Sequence, residues 1–241
     1  MERDEFIRGV SRALGRERVR PPEDGPRPGM RPDEVSARAA GIWARLAGCT
    51  DGLTDRLSQV AGARGWQVRR VEGSEGAVDC IRELALSSGA SHVVRTDQEV
   101  FATVAVDGVL DGMGVGVTVM TRGSRLSADE QRAIAAEAGM GITGADYAIA
   151  ETGSVVLLAR PDTSRLVSLA PPVHVAIVFP GQLIETLDDL LVLRRAAYYE
   201  GGMDMDRYLN LITGPSRTAD IEQKLVVGVH GPKEAHLVLV E

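Results

Sequence analysis

Hydrophobic positions along the chain change period in a definite order, and that order predicts its elements. Between residues 2 and 16, Phe6, Ile7, Val10, Ala13 and Leu14 recur at helical spacing with charges between them. The stretch "RPPEDGPRPGMRPDE" that follows excludes regular structure through its prolines and glycines. Residues 1–32 therefore read as an N-terminal helical arm and linker, and residues 33–241 as the main domain. A helix with an apolar stripe and no core of its own must dock, either on its own domain or on a partner or second subunit.

Within the domain the pattern predicts helices over 33–47 and 52–64, a strand over 66–71, a helix over 75–88 and a strand over 91–95. "ATVAV" and "VGVTVM" continue the strands, and Ser127 with Glu130 three residues on forms a capping box that opens a helix over 128–138. The apolar runs "GIT", "YAIA", "SVVLLA" and "VHVAIVF" follow. A helix over 186–199 is then capped by Thr186 and closed by Gly201-Gly202. "YLNLIT" and "HLVLV" end the chain, with a short helix or turn between them. Alternating helices and strands followed by closely spaced strands predict an α/β fold: a mixed sheet flanked by helices, partly antiparallel.

Composition narrows the function. The 241 residues are 44% hydrophobic and 25% charged, which suits a globular chain with a core of its own. A net charge of −7 argues against nucleic-acid binding, which needs a basic surface to displace counterions. No apolar run approaches the roughly 20 residues of a membrane span, and the charged N-terminus lacks a signal core, so a cytoplasmic location is expected. Two cysteines, Cys49 and Cys80, can hold neither an iron–sulfur cluster nor a four-cysteine zinc site, and no metal site is expected. "GMGVGVTV" at 112–119 is glycine-rich but runs into a strand, which favours packing or a bulge over a nucleotide loop.

Three clusters of polar residues interrupt apolar runs. In "GITGADYAIAETGSVVLLA", Glu151 with Gly153 two residues on fits a hairpin turn or bulge, and equally an acid, base or nucleophile at a sheet edge. In "SLAPPVHVAIV", a rigid Pro171-Pro172 entry places His174 one residue into a strand, as a hydrogen-bonded structural histidine or as a catalyst. In "ITGPSRTADIE", Ser216 or Thr218 would be the N-cap of a helix and Asp220 a first-turn carboxylate. Free backbone N–H groups beside Arg217 would there hold an anion. "GVHGP" adds His230 between two glycines, open to a cavity.

These segments in this order resemble the lactate-utilisation protein C family, the single-domain LUD proteins. "ADYAIAETGSVVLL", "SLAPPVHVAIV" and "ITGPSRTADIE" with "GVHGP" carry the likeness, which covers about residues 90–240 well and the N-terminal part loosely. The resemblance implies a fold like that of the NagB, ribose-5-phosphate isomerase and CoA-transferase group. It also implies a role in oxidising L-lactate to pyruvate together with two iron–sulfur partner subunits. This chain lacks cluster cysteines, so electron transfer would belong to those partners and the isolated chain would be inactive. On this reading Arg217, with Ser216, Thr218 and Asp220, binds a small carboxylate or phosphorylated ligand. His174 or His230 accepts a proton, and Glu151 orients an imidazole. Two other functions stay open: an acyl-transfer enzyme using Glu151, since Glu151-Thr152-Gly153 resembles the Glu-x-Gly turn of CoA-transferases, and a non-catalytic metabolite-binding or assembly module. A homo-oligomer is compatible with each.

Overall fold

A computed structural model describes residues 31–202, 208–219 and 225–241. The N-terminal arm at 2–16 and Asp220 lie outside the described residues. Numbered from the first described helix, the helices are α1 (Pro32–Leu46), α2 (Thr50–Arg64), α3 (Gly73–Ser88), α4 (Val100–Thr103), α5 (Val106–Gly112), α6 (Ala128–Glu137), α7 (Arg165–Leu169) and α8 (Leu187–Glu200). Six strands form one parallel sheet. In spatial order they are β1 (Gln67–Val71), β12 (Glu234–Val240), β7 (Val173–Val178), β4 (Met140–Thr143), β2 (His92–Arg95) and β3 (Gly116–Val119). A second, four-stranded sheet runs β8 (Leu183–Ile184), β5 (Tyr147–Ile149), β6 (Ser154–Leu158), β9 (Leu209–Ile212), with both β6 pairings antiparallel. The last two strands, β10 (Arg217–Ala219) and β11 (Leu225–Val227), pair antiparallel.

The predicted α/β class thus holds: the six-stranded sheet is wholly parallel, while the four-stranded sheet is mixed, β5 pairing parallel with β8 and antiparallel with β6. β7 is buried along its whole length, as a central parallel strand requires. Val173, Val175 and Ile177 pack with α3 and α5, while Ala176 and Val178 face the core made with α1, α2, α8 and the second sheet. β12 divides likewise: Leu237 and Leu239 go to one core, Val238 and Val240 to the other.

Local signals decide the helix ends. The Ser127–Glu130 capping box forms as expected, and Thr186 Oγ1 accepts from the Asp189 N–H at 3.1 Å to open α8. Two expectations fail. Residues 102–106 lie in α4, α5 and their junction, because Val106 and Leu110, four apart, both bury against α3 and helical spacing wins over short-range alternation. Residues 217–219 form a strand, so neither Ser216 nor Thr218 caps a helix there.

Candidate functional site

The three polar clusters meet on one turn, Arg64-Gly65-Trp66, which ends α2. Gly65 closes the helix in the left-handed region at φ 98°, and the Trp66 N–H reaches back to the Ala61 carbonyl at 3.1 Å. A side chain on Gly65 would strain this left-handed backbone and displace the Arg217 guanidinium, which lies where its Cβ would be. Arg217 Nη2 donates to the Arg64 carbonyl at 2.8 Å, placing a cation at the negative end of α2. From the first cluster, the Gly153 carbonyl accepts from Trp66 Nε1 at 3.0 Å. From the second, the His174 ring stands 6.0 Å from the Trp66 ring, tilted by 53°.

Hydroxyls extend this junction. Ser154 Oγ lies 2.8 Å from Thr152 Oγ1 and 2.8 Å from Thr213 Oγ1, linking the turn after β5 to the end of β9. The segments at 214–218 and 228–232 are tied backbone to backbone: Ser216 N–H donates to the Pro232 carbonyl, and Gly228 N–H to the Ser216 carbonyl, both at 2.9 Å. The Lys233 N–H then donates to the Pro172 carbonyl at 2.8 Å, joining this pair of loops to the entry of β7.

Each predicted residue has a definite setting. His174 is fully buried; its Nε2 is 3.0 Å from Thr143 Oγ1, and its Nδ1 has no hydrogen-bond partner. Burial, and secondarily His236, pushes its pKa down to about 3, so the ring is neutral. Glu151 is exposed and its carboxylate accepts from the Leu187 N–H at 3.1 Å, at the first turn of α8, where the helix dipole favours a negative charge. His230 is exposed on the 228–232 loop. Arg217 is exposed, and Ser216 and Thr218 are half-buried. The Ser216 N–H donates to the Pro232 carbonyl, and residues 217–219 pair with β11 as a strand. The expected row of open helix-start amides is therefore replaced by a braced loop pair, with the outer part of Arg217 and His230 left on the surface.

Sequence reasoning missed Trp66, Thr143 and Gly65. Their only signal was spatial, since each lies far along the chain from the cluster it supports. It also missed the polar plug at the carboxyl ends of β2 and β4, where the sheet order reverses and where open α/β sheets bind ligands. There, buried Gln98 Oε1 accepts from Thr96 Oγ1 at 2.7 Å and from the Gly144 N–H at 2.9 Å. Beside it, Arg95 forks onto Asp107 at 2.7 and 2.6 Å and covers the Phe101 ring. Among the described residues, no three His, Cys, Asp or Glu side chains are grouped to hold a metal ion, and no helix is long and apolar enough to cross a membrane.

Comparison with known proteins agrees with this architecture. A lactate utilization protein C from Halalkalibacterium halodurans is 35% identical over 175 residues, 71% of either chain. One from Bacillus licheniformis is 32% identical over 167 residues, 69% of either chain. A crystal structure of a DUF162 family protein from Deinococcus radiodurans shares the fold, with a TM-score of 0.55 at 21% identity, covering 80% of this chain and 98% of that one. Residues 54–240, which include the Arg64–Trp66 turn and all three polar clusters, match the LUD domain, and the chain belongs to that family.

Proposed function

We propose that this protein serves lactate utilization as a component without redox centres, and that the surface formed by Arg217 and His230 binds a small carboxylate such as L-lactate or pyruvate. The observation that carries the reading is the anchoring of Arg217. One guanidinium nitrogen is fixed by the Arg64 carbonyl, and the exposed remainder keeps donors for a carboxylate. The brace between 214–218 and 228–232 holds His230 on the partner loop of the same pair. The relatives named lactate utilization protein C supply the physiological context.

Electron removal from a 2-hydroxy acid needs an acceptor. With Cys49 exposed, Cys80 buried and no other cysteine, the chain has no ligand set for a cluster. Iron–sulfur partner subunits would take the electrons. His174 acts here as a neutral buried support for Thr143 and Trp66, and Glu151 as a cap on α8. Those roles leave His230 as the candidate proton acceptor.

Isothermal titration of the purified chain with L-lactate and pyruvate tests this, comparing wild type with Arg217→Ala and His230→Ala. Saturable binding by wild type that is lost in Arg217→Ala supports the site. Equal binding by wild type and Arg217→Ala removes Arg217 from it.

A further inference from the structure

A second basic feature lies apart from these segments. A cleft of about 1360 Å³, above the common ligand-pocket range of roughly 300–1,000 Å³, is lined by Arg122, Arg132, Arg160, Arg165, Arg194 and Tyr208. Five arginines converge there from the β3–α6 loop, α6, the β6–α7 loop, α7 and α8, in a chain whose net charge is −7. No aspartate or glutamate lines the cleft among the described residues.

The loop that carries Arg122 and the guanidinium groups of Arg160 and Arg165 are held in place. The Arg122 N–H donates to the Pro161 carbonyl at 2.8 Å, pinning the loop after β3 to the loop after β6. Arg160 pairs with Asp146, a buried carboxylate that also accepts from the Leu158 N–H at 2.7 Å. The Arg165 guanidinium lies 4.5 Å from the centre of the Tyr208 ring. Carboxylates offset part of the charge: Asp129 pairs with Arg132, and Asp146 and Asp162 with Arg160. Among the described residues, no carboxylate pairs with Arg122 or Arg165.

The place is also one where α/β sheets take ligands. Arg122 follows the carboxyl end of β3, and the Asp97 N–H, just beyond the carboxyl end of β2, donates to the Asp162 carbonyl at 2.8 Å. Leu126, Leu158 and Leu166 add an apolar lining. A ligand matched to this cleft has at least two negative charges and an apolar or planar body. A cleft lined by arginines from five elements suits a small molecule more than a flat protein contact or a nucleic-acid groove.

We propose that this cleft is the binding site of an organic phosphate of nucleotide size, its phosphates held by Arg122 and Arg165 and its body laid on the leucine lining. It is separate from the surface proposed for the small carboxylate. Calorimetric titration of the full chain with ADP and with inorganic pyrophosphate at 0.15 M salt tests it. The proteins compared are wild type, Arg122→Gln/Arg165→Gln, Arg122→Gln alone and Arg217→Gln. The expected result is one ADP per chain, weakened about tenfold or more in the double variant and severalfold in the single variant, and unchanged in Arg217→Gln. Wild-type thermal stability in the variants separates loss of binding from loss of fold, and Arg122→Gln keeps the test decisive should the double variant not fold. Absence of saturable binding of either probe at millimolar concentration overturns the proposal. So does ADP affinity in the double variant within about twofold of wild type, or an equal loss in Arg217→Gln. Tighter binding of poly-glutamate than of ADP would assign the cleft to an acidic polypeptide and overturn it as well.

Discussion

Acid should destabilise this protein in part through the buried His174 ring. His174 has no solvent exposure, and burial lowers its pKa from 6.5 to about 3. Below pH 6.5 the unfolded chain takes up a proton at this position that the folded chain refuses. The stability tied to the neutral ring is fully present above pH 6.5 and drains away as the pH falls toward about 3. Each pH unit within that window costs about 1.4 kcal/mol, so the penalty at pH 5 is about 2 kcal/mol. His236, whose pKa burial also lowers, acts in the same direction, so the wild-type slope alone does not isolate His174. His174→Gln does, because an amide can still meet Thr143 Oγ1 and does not titrate. Urea unfolding at pH 7.5 and pH 5 should show wild type losing about 2 kcal/mol more than His174→Gln over that interval. Equal losses in the two proteins would refute the assignment. So would an NMR titration in which the His174 ring protonates near pH 6 in the folded state.

Two further outcomes follow from packing. Gly153→Ala should cost about 2–4 kcal/mol, read by urea unfolding, because Gly153 has φ 68° and a Cβ there would come 2.7 Å from the Ala61 nitrogen in the backbone of α2; a loss below about 1 kcal/mol would show that α2 can move aside. Asp146→Ala should cost about 1–3 kcal/mol, since it strands the Leu158 N–H and unpairs Arg160; Asp146→Asn should cost less because the amide oxygen can still accept from Leu158, and equal losses would shift the weight onto the Arg160 pair.

What the sequence revealed depended on whether the signal was local. The Ser127–Glu130 box and the Thr186 cap act within one helical turn, and both form as expected. The run at 173–178, apolar but for His174, was legible as a strand from its own composition, and its full burial makes it a central one. The segment after Pro215 misled because Ser, Thr and Asp serve turns, caps and strand ends alike. Its outcome was set by pairing with β11 and by the brace to Pro232, neither of which is written locally. The arginine cleft was illegible for the same reason, as Arg122, Arg160 and Arg194 are separated by dozens of positions and only the fold brings them together. Net charge gave no sign of the cleft, since a total of −7 does not exclude a local excess of cations.

The family's polar signatures carry more architecture than exposed chemistry. Gly153 meets the Trp66 indole, His174 packs beside it, and one arm of Arg217 closes the carboxyl end of α2. Each contact joins a separate element to the same turn, so a change at any of them must be felt by the others. What this junction leaves exposed is small: the outer donors of Arg217 and the His230 ring on a braced loop. The proposed carboxylate surface is confined to these groups. The arginine cleft has the opposite character, wide and lined by several cations, and its chemistry fits a larger anion. The Arg217 and Arg122/Arg165 variants separate the two proposed sites one ligand at a time.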